Sequence, residues 1–355
     1  EQDAYPRRIA YKTIKEFETN NRPFDTTRII REARNWFTLS GHPLVFTPHL
    51  IKIWDDVPLI RMPYCDGDLR RFIDERQSLT AVICLSLQIV QGMIVANRRG
   101  MEHHQDIKPE NLFYIDLSAQ FEDFPPSNVD PVLRYSVRIG DFGVANAWRD
   151  NHKGGTNAYK APEQYDGHPE ESIPTFAPDI FAVGVVIAEL FRGFHPASAT
   201  PGTNVWNWRG SKLKKWATGG KRNIFAPDDT PEAAALSELI NAMLSPDPTK
   251  RPAFTDCYRQ LVNLLKTLSP TSLEQLELLF RYYDYVSTHF ALEQEIDRQV
   301  RLANAPGELQ SVKDRITERL RGSLEVSGLT LDGILSVYHL ADALHRLCEA
   351  VCAPE

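Results

Sequence analysis

His104-Gln105-Asp106-Ile107-Lys108-Pro109-Glu110-Asn111 places a carboxylate, a cation and an amide within eight residues. Asp106 can accept or orient a proton leaving an attacking hydroxyl. Lys108, two residues on, can neutralise charge on a moving phosphoryl group, and Asn111, five residues after Asp106, offers an amide oxygen to a metal. Phosphoryl transfer needs just such parts: a cation on the phosphates, oxygen ligands for Mg²⁺, and a carboxylate near the nucleophile. Thirty residues beyond Asn111, Asp141-Phe142-Gly143 adds a second metal ligand, a carboxylate on a turn. Taken singly, Asp-Phe-Gly is a turn by default and His-x-Asp a satisfied structural histidine. In this order and at this spacing the set is a strong signal.

Working outward, the chain resembles the eukaryotic-type protein kinase superfamily from about residue 8 to 265. HQDIKPEN resembles its catalytic loop, and Asp141-Phe142-Gly143 its metal-binding motif. Ala161-Pro162-Glu163 resembles the end of the activation segment, and Gly155-Thr156-x-x-Tyr159 the stretch that receives the substrate residue. Asp179, in APDIFAVG, matches the residue that anchors the catalytic-loop backbone. Asp247-Pro248-x-x-Arg251-Pro252 matches the motif whose arginine pairs with the APE glutamate, which implies a Glu163–Arg251 salt bridge.

The resemblance extends upstream. Ile9-Ala10-Tyr11-Lys12 resembles the strand that carries the phosphate-binding lysine, and Glu32, 20 residues later, resembles its ion-pair partner. Met62-Pro63-Tyr64-Cys65 resembles the hinge: Met62 as gatekeeper, Pro63, Tyr64 and Cys65 along the adenine, Ala10 above the base and Phe113 below it. His104, Phe142 and Trp36 are expected to stack as an internal spine. The implied fold is α+β and bilobal, with a small, apparently truncated N-lobe over residues 1–65, a mainly helical C-lobe over 66–267 and a helical extension over 268–355. The implied activity is that of a Mg-ATP-dependent protein kinase acting on Ser/Thr hydroxyls. The implied catalytic residues are Asp106, Lys108, Lys12 and Glu32. ATP is assigned to Lys12, Ala10, Met62, Tyr64, Cys65 and Phe113, and Mg²⁺ to Asn111 and Asp141.

Three features depart from that pattern. The eleven residues before Lys12 contain no glycine, so no glycine-rich phosphate loop precedes it, which reads as truncation or as a reduced small lobe. Gln105 stands where His-Arg-Asp would carry arginine, which points to constitutive or partner-driven activity rather than switching by activation-segment phosphorylation. The interval from Asn111 to Asp141 is about twice the usual one, because a polar, Pro-rich segment over 119–131 is inserted there, expected on the surface. The alternative function is a pseudokinase scaffold that presents the helical extension to a partner. A third is transfer of AMP, or of phosphate to a small molecule.

The 355 residues carry net charge −7, which argues against a nucleic-acid binder relying on global positive charge. The N-terminus has no apolar signal region, and the apolar stretch 180–191 is too short to span a bilayer, so neither a nucleic acid nor a membrane is an expected partner. Cys65, Cys84, Cys257, Cys348 and Cys352 form no CxxC pair and read as reduced thiols of a cytoplasmic protein. Periodicity predicts strands over 8–17, 50–54 and 58–62, and helices over 26–39, 79–97 and 179–191. A second insertion is expected over 197–220, whose basic run Lys212, Lys214, Lys215, Lys221 and Arg222 reads as a solvated face. Thr271-x-x-Glu274 has the form of a capping box, with further helices over 308–325 and 331–351. This extension is the expected route to a partner or a dimer.

Overall fold

The computed structural model describes residues 9–12, 36–37, 39, 41–46, 48, 50–54, 57–119, 124–142, 145, 155–166, 176–219, 224 and 230–302. The chain divides into two compact units, Glu1–Leu279 and Phe280–Glu355. In the first, β1 (Ile9–Lys12), β2 (Leu50–Trp54) and β3 (Val57–Pro63) form an antiparallel sheet in the order β1-β3-β2. Its register sets Ala10 opposite Met62 and Lys12 opposite Ile60. A second antiparallel sheet joins β4 (Gly67–Asp68), β5 (Leu112–Asp116) and β6 (Tyr135–Ile139), with Phe113 between Asp68 and Arg138. Between these sheets, Val45 bridges Ile139, with Phe46 N donating to Ile139 O at 2.7 Å.

The described α-helices include α1 (Arg70–Asp74), α2 (Leu79–Arg98), α3 (Pro162–Asp166), α4 (Ala177–Arg192), α5 (Gly210–Thr218), α6 (Pro231–Met243), α7 (Phe254–Leu268) and α8 (Pro270–Leu302), with α2 packed on β6. α2 begins where the Ser78 hydroxyl accepts the Ala81 N–H at 3.0 Å, satisfying one of the amides a helix start leaves open. By length and composition α2 is apolar enough to cross a bilayer, but 83% of that window is buried within the fold, so its side chains are core. α4 is buried along nearly its whole length and stops at Gly193, whose φ of 78° lets its N–H return to Glu189 O at 2.7 Å. Gly184 lets α4 approach α6 closely, since a Cβ there would sit 2.9 Å from Met243 Cβ.

The chain departs from the sequence reading in two places. The capping box does not form. α8 starts two residues earlier than a Thr271 cap would set it, at Pro270, and Ser269 Oγ accepts the Ser272 N–H, because proline suits a first helical turn that needs no donor. Thr271 instead donates its hydroxyl to Asn128 O at 2.9 Å. The segment 197–220 is not all loop: Leu213 and Ala217, four residues apart, bury one face of α5. Of the strand expected over 8–17, residues 9–12 are strand (β1) and the others lie outside the described residues. The helix over 26–35, Glu32, Gly143, Lys221, Arg222, Cys348, Cys352 and the helices over 308–325 and 331–351 lie outside the described residues.

Candidate active site

The catalytic-loop stretch is held from below by α4. Asp179, in the first turn of α4, accepts the His104 N–H on Oδ2 at 2.7 Å and the Gln105 N–H on Oδ1 at 2.8 Å. Those two bonds pin a backbone that needs pinning, because Gln105 sits at φ 69°, a left-handed conformation costly for a residue with a Cβ. Burial pushes the Asp179 carboxyl up to about 7, with the two amide bonds pulling it down. His104 is fully buried, and burial holds its imidazole below the usual histidine pKa. Its Nε2 bonds Gly140 O at 3.0 Å, just before Asp141. The expected spine is present: the ring centroids of His104 and Phe142 lie 5.0 Å apart and those of Phe142 and Trp36 6.1 Å.

Asp106 stands at the centre of a converging set of donors. Lys108 Nζ reaches Oδ2 at 2.8 Å, and Asn111 Nδ2 reaches Oδ2 at 3.0 Å and the Asp106 carbonyl at 2.8 Å. From the activation segment, Thr156 gives both its N–H and its hydroxyl to Oδ1, each at 2.8 Å, and its Oγ1 also accepts from Lys108 at 3.0 Å. This close approach depends on Gly155. At φ 94°, a Cβ on Gly155 would lie 2.4 Å from Gln105 O. Thr156 was legible only as part of the Gly-Thr stretch; nothing in the sequence marked its bonds to Asp106.

Asp141 lies across the site at φ 60°, with Lys12 Nζ 2.6 Å from Oδ1. Burial raises the Asp141 pKa, but the charge and hydrogen bond of Lys12, with His104 and Lys108, bring it below the usual carboxylate value. Lys12 also lies 5.2 Å over the Trp36 ring. The Asn111 amide nitrogen is committed to Asp106, which leaves its oxygen as the atom fit for a cation. The Asn111 amide oxygen and the Asp141 carboxylate are oxygens of the kind Mg²⁺ takes, an ion that keeps several waters and shares phosphate oxygens.

Among the adenine candidates, Ala10 and Met62 are cross-strand neighbours on β1 and β3, both part-buried. Tyr64 is 44% exposed, and burial pushes the Cys65 thiol up to about 12. The Phe113 ring packs 5.1 Å from that of Phe46 and against Gly140. Further down, Arg251 grips both oxygens of Glu163, NH1 to Oε1 at 2.5 Å and NH2 to Oε2 at 2.8 Å, with a third bond to Ala177 O at 2.7 Å. Both side chains are essentially buried, as the implied salt bridge requires.

A family model described as protein kinase domain matches residues 2–262. The chain belongs to the protein kinase family. Three curated relatives illustrate its place there. The serine/threonine-protein kinase PkaB of Streptomyces coelicolor is 28% identical over 196 residues, 53% of this kinase chain and 43% of that protein. PkaA of the same organism is 27% identical over 280 residues, 68% of this chain and 48% of that protein. PrkC of Bacillus subtilis is 27% identical over 199 residues, 54% of this chain and 27% of that protein. The kinase chain spans less than half the length of the curated relatives it matches.

One cluster in the kinase went unnoticed in the sequence. Arg70, the first residue of α1, meets Glu110 of the catalytic loop, Tyr159 of the activation segment and Glu189 of α4. No local motif announces it, because its four members come from segments up to 119 residues apart.

Proposed function

We propose that this chain transfers the γ-phosphoryl group of Mg-ATP to Ser/Thr hydroxyls of a protein substrate. The observation that carries the proposal is the Asp106 carboxylate, held between Lys108, Asn111 and Thr156 and 16% exposed. Asp106 is positioned to take the acceptor hydroxyl's proton as the oxygen attacks γ-phosphorus and the bond to the β–γ bridging oxygen breaks. Lys108, within 2.8 Å of Asp106, is positioned to neutralise charge gathering on the transferred group. Lys12 would hold the non-reacting phosphates. Asn111 and Asp141 would hold Mg²⁺, which supplies charge screening on the phosphates when bound. Ala10, Met62, Tyr64, Cys65 and Phe113 would line the base.

Two further features support Ser/Thr over Tyr as acceptor. Lys108 and Thr156 together close over Asp106. The curated relatives above carry serine/threonine-protein kinase in their names. A protein substrate is supported by the ordered stretch from Thr156 through Glu163 beside Asp106. The extension over 268–355 would serve a partner or a second copy.

The test is incorporation of phosphate from Mg-ATP into a generic protein substrate, with phosphosites located by mass spectrometry. Asp106→Asn should lower kcat at least ~10²-fold, the contribution typical of a positioned proton acceptor. Full incorporation by that variant sinks the role given to Asp106. A parent protein that transfers nothing and gains no thermal stability in millimolar Mg-ATP favours the scaffold reading.

A further inference from the structure

The Arg70 cluster does more than hold elements together. Its guanidinium gives Nε and NH2 to Glu110 Oε1 at 3.0 and 2.9 Å, NH1 to Glu189 Oε1 at 3.3 Å, and NH2 to Tyr159 Oη at 2.8 Å. Tyr159 closes the ring by donating to Glu189 Oε2 at 2.6 Å. The Trp206 ring covers the cation, its centroid 5.2 Å from the guanidinium carbon. Two carboxylates, one phenol and one indole face thus form a seat shaped for a planar, forked cation, a geometry lysine does not match.

Three observations place that seat on the substrate side of the molecule. Glu110 lies four residues after Asp106, and Tyr159 lies three residues after Thr156, which bonds Asp106. The Arg70 and Glu110 side chains keep 26% and 39% of their exposure, so a solvent-borne group can reach them. The seat also keeps an acceptor to spare: Glu110 Oε2 has no hydrogen-bond partner among the described residues. The neighbouring Arg71 does not engage it, since it turns away to Tyr114 Oη and Glu75.

We propose that Arg70 is a built-in occupant of an arginine-binding seat beside the acceptor-binding segment, and thereby a specificity-determining residue. While Arg70 fills the seat, a substrate gains little from an arginine near its acceptor hydroxyl. Emptying the seat exposes Glu110, Glu189 and Tyr159, so that an arginine-bearing substrate fits where the chain's own side chain was. The inference rests on the kinase reading above for its substrate half, but the seat itself can be tested without catalysis.

The first measurement is thermal unfolding of the parent and of Arg70→Ala in low-millimolar guanidinium chloride, with sodium chloride as control. Guanidinium should raise the melting temperature of R70A and not that of the parent, and sodium should raise neither. Should R70A fail to fold, Arg70→Gln takes its place in the same titration. The second uses peptide pairs differing by Arg or Gln at each position around the acceptor. The parent should discriminate less than about twofold, as exposed charge contacts do. R70A should favour the Arg peptide about tenfold or more at one position, with the change in KM rather than kcat. The inference is overturned by a variant that guanidinium does not stabilise, or by a parent that already prefers Arg tenfold. If guanidinium stabilises R70A while the parent phosphorylates no peptide, the kinase reading fails and the seat stands.

Discussion

Arg251→Met removes one half of the buried pair that ties the end of the activation segment to the loop before α7. Glu163 and Arg251 retain 2% and 0% side-chain exposure, so water cannot solvate the carboxylate once its partner is gone. Methionine fills comparable space but replaces neither the two bonds to Glu163 nor those to Ala177 O and Ser245 O. Breaking such a pair from one side costs about 3–5 kcal/mol. In a unit of this size that corresponds to a melting-temperature fall of roughly 6–10 °C. Urea unfolding followed by tryptophan fluorescence measures the free energy directly. The double variant Glu163→Gln/Arg251→Met leaves no stranded charge, so it should be more stable than R251M alone by about 1–2 kcal/mol. Added salt should leave the parent's pair largely unaffected, because buried charges are screened little. A single variant within about 1 kcal/mol of the parent, or a double variant whose loss equals the sum of the singles, refutes this reasoning.

Asp179→Asn keeps the shape but sets an amide NH2 against one of the two backbone N–H groups it must satisfy. It should loosen the turn at Gln105 and lower kcat about tenfold or more, read in steady-state phosphorylation. The same substitution tests a pH dependence. The folded protein keeps the Asp179 proton to about 7, whereas the unfolded chain releases it near 3.8. This group's stabilising contribution is therefore full below pH ~4 and lost as pH rises through ~7, so the stability gap between parent and D179N should narrow over that window. Gly155→Ala brings a Cβ against Gln105 O at a positive φ, and should cost about 1–3 kcal/mol in denaturant unfolding while displacing Thr156 from Asp106.

Sequence reading located the catalytic parts with more certainty than it located their connections. Asp106, Lys108, Asn111 and Asp141 lie in two short stretches whose chemistry is local, and in the structure Lys108 and Asn111 each hydrogen-bond Asp106. Glu163 and Arg251 are 88 residues apart, and their pairing was readable only because each sits in a motif of its own. Arg70 and Glu189 belong to no motif, and Tyr159 stands in the Gly155-Thr156-x-x-Tyr159 stretch with nothing to mark its partners. They meet because α1, the activation segment and α4 pack together, and packing at that range leaves no local pattern. Ser269 caps α8 although Thr271-x-x-Glu274 has the capping-box form and Ser269-x-x-Ser272 lacks its glutamate. The choice fell to the proline at 270 and to the carbonyl of Asn128, which drew the Thr271 hydroxyl away.

That contact between Asn128 and Thr271 has a neighbour: Asp130 N donates to Ser272 Oγ at 2.9 Å, and the Asp130 carboxylate receives the Ser78 hydroxyl at 3.1 Å. The Pro-rich insertion is therefore stitched to the first turn of α8. Trimming the chain at 267 would strip partners from both Asn128 and Asp130, whereas a cut after Leu279 follows the division between the two compact units. The insertion and the opening turn of the last helix behave as a matched pair of parts. Whoever transplants or shortens one of them should carry the other along.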